Sequence, residues 1–218
     1  MNKISKIVCT GRIGVDTCFF ILILVLLFFT SCETQNPYQN NMSYEISGRD
    51  QEHTPLYRIK APKEWLVKKP NVTEDLQDTT KPLIEFIIQE GSQKAHITIH
   101  NFPSDSIETR IPPVAQIMRW KKQFDSLNPA SIHEKPQNFS GFTGVFFEGS
   151  GLMNKEETTL LSWSMQVGSM HYGALENKER RASFTIKAVG APFLMKKNKK
   201  EIIAFAKSFE LIDDIIHD

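Results

Sequence analysis

The chain has 218 residues, 40% hydrophobic and 10% aromatic, with 26 bases against 25 acids for a formal net charge of +1. Lys3, Lys6, Arg12 and Asp16 account for +2 of this, so everything after the leading segment carries a net −1. A domain that close to neutral lacks the net basic face that neutralises phosphates, which excludes nucleic acid as a partner.

The chain opens as an export signal. Basic residues precede an uncharged apolar run, Phe19 to Phe29, and the small residues Thr30 and Ser31 lead into Cys32. A basic start, a short apolar stretch and small residues before a cut describe a segment that is removed. Phe29-Thr30-Ser31-Cys32 resembles the bacterial lipoprotein signal, in which the cysteine is acylated and becomes the mature N-terminus. Phe29 stands where a leucine-type residue is usual. The competing reading, an uncleaved anchor, needs roughly 17–25 apolar residues. Extending the run backward meets Asp16, a charge that is costly inside a bilayer. The expectation is a signal peptide over residues 1–31 and a fatty acid such as palmitate on Cys32. Cys9 and Cys18 leave with the signal, so the mature domain rests on its core without a disulfide.

Residues 32–52 are polar and rich in Asn and Gln, with few apolar residues at a regular period. Such composition buries too little surface to offset its ordering entropy, which predicts a flexible tether. As a coil of ~20 residues it would reach roughly 25 Å. Residues 53–218 then form one globular domain.

From Pro55 the apolar residues alternate at period two. Ile84, Phe86 and Ile88 share a face, as do Ile97 and Ile99 after the turn Glu90-Gly91-Ser92. Val145 and Phe147 follow Gly141 and Gly144. Leu161, Trp163, Met165 and Val167 alternate with Ser162, Ser164 and Gln166, and Phe184 and Ile186 with Ser183, Thr185 and Lys187. This is the half-buried strand pattern, apolar inward and polar outward, and short links favour hairpins. Two segments change to helical period. Pro112-Pro113 suits a helix start, with Val114, Ile117, Phe124 and Leu127 as its stripe and Met118 and Trp120 at the margins. Ile202, Phe205, Ala206 and Phe209 follow i, i+3, i+4 and i+7, with Asn198 and Glu201 spaced as a capping box. The expected class is α+β, a largely antiparallel sheet covered by helices.

The early strand followed by Ala61-Pro62-Lys63-Glu64-Trp65, the central helix and Trp163 in an alternating strand form one recognisable series. The run Ala182 to Gly190 and the helix Ile202 to Phe209 complete it. Together they resemble the PsbP-like α/β/α sandwich, and in particular lipoproteins of chlamydia-type bacteria. The resemblance spans Tyr57 to Ile212. It implies a non-enzymatic binding or assembly module, since PsbP-like proteins dock on larger complexes. No binding residue carries over from it.

Each candidate for chemistry has a plainer reading. On a strand rising ~3.3 Å per residue, His96 and His100 stand about 13 Å apart, too far for one metal ion. His133 and His171 have no second ligand at a telling spacing. Gly149-Ser150-Gly151 is no nucleophile elbow, because Glu148 and Leu152 occupy the positions of its glycines. A bend in a β-hairpin is expected there, with Asn154 to Thr159 as the turn. Glu156-Glu157 and Asp213-Asp214 lie in polar sequence and are expected to be solvated. Trp65, Trp120 and Trp163 fit the core. No catalytic residue, metal or cofactor is therefore expected, and the chain is not expected to be an enzyme.

One charge cluster stands out: Lys196, Lys197, Lys199 and Lys200, with Arg180 and Arg181 taken as neighbours. It would form a basic patch for anionic headgroups or an acidic partner, at about 1 kcal/mol per base near a charged membrane. Replacing all four lysines with glutamine is expected to weaken liposome or partner binding at low salt; unchanged cosedimentation sinks the patch.

The function expected is a lipid-anchored module of the cell envelope, facing the periplasm or the exterior and meeting an envelope protein partner. One alternative is an envelope hydrolase or transferase, which would show a cleft where polar side chains with shifted pKa values converge. The other is a carrier for an apolar molecule, which needs a dry pocket of roughly 300–1,000 Å³ between sheet and helix.

Overall fold

The computed structural model describes residues 40–49, 55–70, 77–175 and 178–212, all within one compact unit, Pro37–Asp218. The signal peptide, Cys32, the tether up to residue 39 and Asp213-Asp214 lie outside the described residues.

In chain order the first elements are β1 (Asn41–Ser47), β2 (Pro55–Pro62), β3 (Leu66–Lys68), β4 (Ile84–Glu90), β5 (Gln93–Phe102), α1 (Pro113–Lys121) and β6 (Ser126–Leu127). After a 3-10 turn (Pro129–Ser131) come β7 (His133–Phe139), β8 (Phe142–Met153), β9 (Glu156–Val167) and α2 (Ser169–Tyr172). β10 (Ser183–Gly190), α3 (Pro192–Lys197), α4 (Lys199–Lys207) and β11 (Glu210–Leu211) close the fold. One sheet runs β3-β4-β5-β10-β9-β8-β6, with β7 also paired to β8; β1, β2 and β11 make a second, smaller sheet. Every pairing among the described residues is antiparallel. No helix among them is long and apolar enough to cross a membrane.

Turn chemistry sets the hairpins. Asn154 and Lys155 have φ of 52° and 66°, the two-residue geometry that matches strand twist. The turn expected over Asn154 to Thr159 is therefore two residues long, and β9 already begins at Glu156. Gly149-Ser150-Gly151 lies within β8 and not in a bend. A Cβ on Gly151 would stand 2.1 Å from the Ser126 carbonyl oxygen, so glycine there lets β6 lie against β8. Gly151→Ala should cost about 1–3 kcal/mol through that clash. An unchanged urea midpoint would contradict this.

The large sheet is buried on both faces. Ile97, Ile99, Leu161, Trp163, Phe184 and Ile186 belong to the core shared with α3, α4 and the small sheet. Phe147 and Leu160 point the other way, against Ile117 and Trp120 of α1 and against Phe124. The result is the expected α/β/α sandwich. Ile202, Phe205, Ala206 and Phe209 are all buried, as their period requires, and so are the three tryptophans.

Three local expectations are corrected. Residues 41–47, assigned to the tether, form a strand on β2, with Ile46 buried and Tyr44 edge-on to Phe86 at 5.2 Å. Met42, Tyr44 and Ile46 do alternate, and the surrounding Asn and Gln hide the pattern. α1 stops at Lys121 because the chain turns to pair with β8, where the Asp125 N–H meets the Leu152 carbonyl at 2.8 Å. Phe124 and Leu127 therefore reach the core from beyond the helix, while Val114 and Met118 remain 58% and 55% exposed. The capping box does not form. The Asn198 side-chain amide donates back to the Leu194 carbonyl at 2.9 Å and closes α3 instead of opening α4.

Candidate functional site: a polar cleft beneath α1

On the α1 side of the sheet, the register sets Thr185 opposite His100 and Lys187 opposite Thr98. Paired residues share a face, so these four side chains make two adjacent rungs, continued on β9 by Ser164 and Ser162. α1 packs on the apolar end of this face through Ile117 and Trp120. Over the polar rungs there remains a cleft of about 570 Å³. Gln116 and Arg119 of α1 and Gln123 just after it rim the cleft, Thr79 and Thr80 close one side, and Phe102, Ile111 and Trp120 supply apolar wall.

The bonding in the cleft is incomplete. Lys187 Nζ donates to the neutral Gln123 Oε1 at 2.6 Å, and burial lowers its pKa. Among the described residues no carboxylate pairs with it. The hydroxyls of Thr98, half-buried, and Thr185, buried, make no side-chain hydrogen bond among the described residues. Arg119 reaches only Gln116 Oε1, at 3.5 Å. The nearby acids are engaged elsewhere. Asp78 accepts from the Thr80 hydroxyl at 2.6 Å, and Glu85, across from Thr98, is held by His96 at 2.6 Å and Lys68 at 3.8 Å.

His100 Nδ1 lies 3.3 Å from the Thr79 carbonyl and, with a carbonyl as partner, donates to it. Burial lowers the His100 pKa; the Thr79 bond opposes this, and the Arg49 and Lys187 charges add to it. A base whose folded pKa lies below its ordinary 6.5 stabilises the fold fully above that pH. That contribution is lost as pH falls below it. The unfolding midpoint should therefore be lower at about pH 5.5 than at about pH 7.5, and His100→Asn should reduce the difference. An equal pH dependence in the variant would contradict the assignment.

Behind the cleft lies a closed polar network. Arg49 Nε donates to Asn101 Oδ1 at 2.7 Å, and Asn101 Nδ2 donates to Glu179 Oε2 at 2.8 Å. The other guanidinium nitrogens hold the Asp78 and Lys81 carbonyls at 2.9 and 2.6 Å, fixing the segment that carries Thr79 and Thr80. Tyr57 donates to the Glu179 carbonyl at 3.1 Å, and burial raises its pKa well above the usual tyrosine value. Arg49, Asn101, Glu179 and Tyr57 are all buried, and this network positions the loop.

The residues singled out from the sequence are dispersed. His96 sits on the same strand as His100 but bonds Glu85, and His133, Glu156 and Glu157 are exposed. Among the described residues no group of three or more metal-ligating side chains converges. In the lysine cluster, Lys197 pairs with Glu90 at 2.7 Å and Lys199 with Glu148 at 2.6 Å, while Lys196 and Lys200 are exposed. Arg181 lies at the far end of β10, stacked over Tyr172 at 5.1 Å and donating to the Leu175 carbonyl. A strand of that length separates it from α3 by roughly 25 Å, so the arginines are not neighbours of the lysines.

No family model matches the chain, and no curated protein matches it. Among solved structures, LpqN, involved in cell envelope biogenesis of Mycobacterium tuberculosis, is similar in fold. The match covers 78% of this chain and 91% of LpqN, with 10% identity and a TM-score of 0.51. Cyanobacterial PsbP (CyanoP) from Synechocystis sp. PCC 6803 matches 84% of this chain and 98% of its own, with 15% identity and a TM-score of 0.48. At such identities the likeness is one of fold, and no residue's role passes with it.

Proposed function

We propose that this chain is an exported lipoprotein, acylated at Cys32, whose α+β domain is a non-enzymatic binding or assembly module of the cell envelope. It would face the periplasm or the exterior and meet an envelope partner through the cleft beneath α1. The observation that carries the binding reading is the set of donors open there: among the described residues two threonine hydroxyls have no side-chain partner and an ammonium bonds only an amide oxygen. Donors that face an open cleft and have no protein partner are available to a guest that enters it. The junction at Cys32 supports the anchor, and the envelope role of LpqN, a property of that protein, accords with it. Nine peptide steps separate Cys32 from β1, so at ~3.3–3.6 Å each the sandwich would lie within roughly 30 Å of the bilayer.

A photo-crosslinking residue at Gln116 in living cells, read by mass spectrometry, tests this. An envelope species captured from Gln116 and not from Lys94, on the distant β4–β5 hairpin, is the expected result. Identical capture from both positions would overturn the binding reading.

One observation favours a second reading. His100 and Lys187 converge in a cleft with lowered pKa values, which is the arrangement an envelope hydrolase or transferase would use. That reading requires a turnover that falls in both His100→Asn and Lys187→Met. The apolar-carrier alternative finds its space between sheet and helix, but lined by hydroxyl, amide and cationic groups that suit a polar guest.

A further inference from the structure

Resting on that binding reading, we propose that the cleft beneath α1 takes a small organic phosphate, its phosphate seated on Lys187 and on the hydroxyls of Thr98 and Thr185. The sign of the charge follows from the lining. Lys187 and Arg119 are cations, and among the described residues no Asp or Glu contributes to the wall. Among the described residues the neighbouring acids Asp78 and Glu85 are already bonded, to Thr80 and to His96 and Lys68.

The geometry favours phosphate over carboxylate. Four donors on three elements line the cleft: Lys187 and Thr185 from β10, Thr98 from β5 and Arg119 from α1. A carboxylate presents two oxygens in one plane, whereas a tetrahedral phosphate presents oxygens on several sides and can meet donors from separate elements. About 570 Å³ is more than a bare phosphate fills, and it falls within the range of sites for small organic molecules. Phe102, Ile111 and Trp120 can cover the carbon skeleton, and Gln116 and Gln123 can meet its hydroxyls. The same chemistry is offered by a soluble phosphate ester and by a phospholipid headgroup.

Calorimetry and backbone NMR on the purified full-length chain, at constant ionic strength, test the assignment with three probes. These are glycerol phosphate, uncharged glycerol, and a short-chain phosphatidylglycerol below its micellar concentration. Glycerol phosphate should bind and shift the amide signals of Thr98, Thr185 and Lys187, and glycerol should not. Lys187→Met should weaken binding by about tenfold or more, the loss of one charge-assisted contact. Arg119→Gln, a change on the exposed rim that leaves the fold intact, should weaken it by a smaller factor and keeps the test valid if Lys187→Met misfolds. Equal affinity for the ester and the lipid assigns recognition to the phosphate itself, and a preference for the lipid assigns the source to a headgroup. Equal binding by wild type and both variants overturns the inference. If glycerol binds as well as glycerol phosphate, the phosphate fails while the binding reading stands. If no probe moves a cleft signal, the phosphate inference fails, and crosslinking from Gln116 judges the binding reading on its own.

Discussion

Arg49→Met should lower the unfolding free energy by about 3–5 kcal/mol, the cost of leaving the buried Glu179 carboxylate without the opposite charge it meets through Asn101. Arg49 is 2% exposed and Glu179 5%, and the two charges communicate through Asn101, which accepts from one and donates to the other. Removing the guanidinium also strips donors from the Asp78 and Lys81 carbonyls. The loop bearing Thr79 and Thr80 then loses its hold, so the cleft should loosen along with the fold. Replacing both charges, as Arg49→Met with Glu179→Met, should recover much of the loss, because an apolar pair carries no desolvation penalty. Urea unfolding of the two single variants and the double variant reads this directly. A double variant as unstable as the sum of its parts would show that the charges do not depend on each other.

Phe209→Ala is expected to cost about 3–5 kcal/mol, the range for truncating a fully buried phenylalanine. Its ring stacks on Tyr57 of β2 at 4.8 Å and lies 4.2 Å from Phe184 of β10 and 5.9 Å from Phe142 of β8. One side chain after α4 thus ties the small sheet to the large one. Met118→Ala, on the exposed flank of α1, should change stability by no more than about 0.5 kcal/mol. Thermal unfolding that gave similar shifts for the two would place the domain's centre elsewhere.

What could be read from the residues follows the strength of each periodic signal. Trp163, Met165 and Val167 alternating with Ser162, Ser164 and Gln166, and Ile202 to Phe209 at helical spacing, specify their elements because burial enforces the period. β1 is the contrary case: Met42, Tyr44 and Ile46 alternate within a composition that otherwise describes a tether. The cleft was hidden for a different reason. Thr98, His100, Thr185 and Lys187 alternate as a solvent-facing stripe should, and only the packing of α1 turns that stripe into a wall. The Arg49 network left one mark, Asn101, a polar residue continuing the apolar stripe of Ile97 and Ile99. Its partners are distant in sequence, 52 residues away for Arg49 and 78 for Glu179, and no local pattern connects them.

The proposal that the sandwich works as a moored envelope module is tested most directly by feeding cells a labelled palmitate and isolating this chain. Label on the wild type and none on Cys32→Ala is the result required. An unlabelled wild type, or a variant labelled to the same extent, would contradict the anchor and with it the place in the cell where the cleft is taken to act.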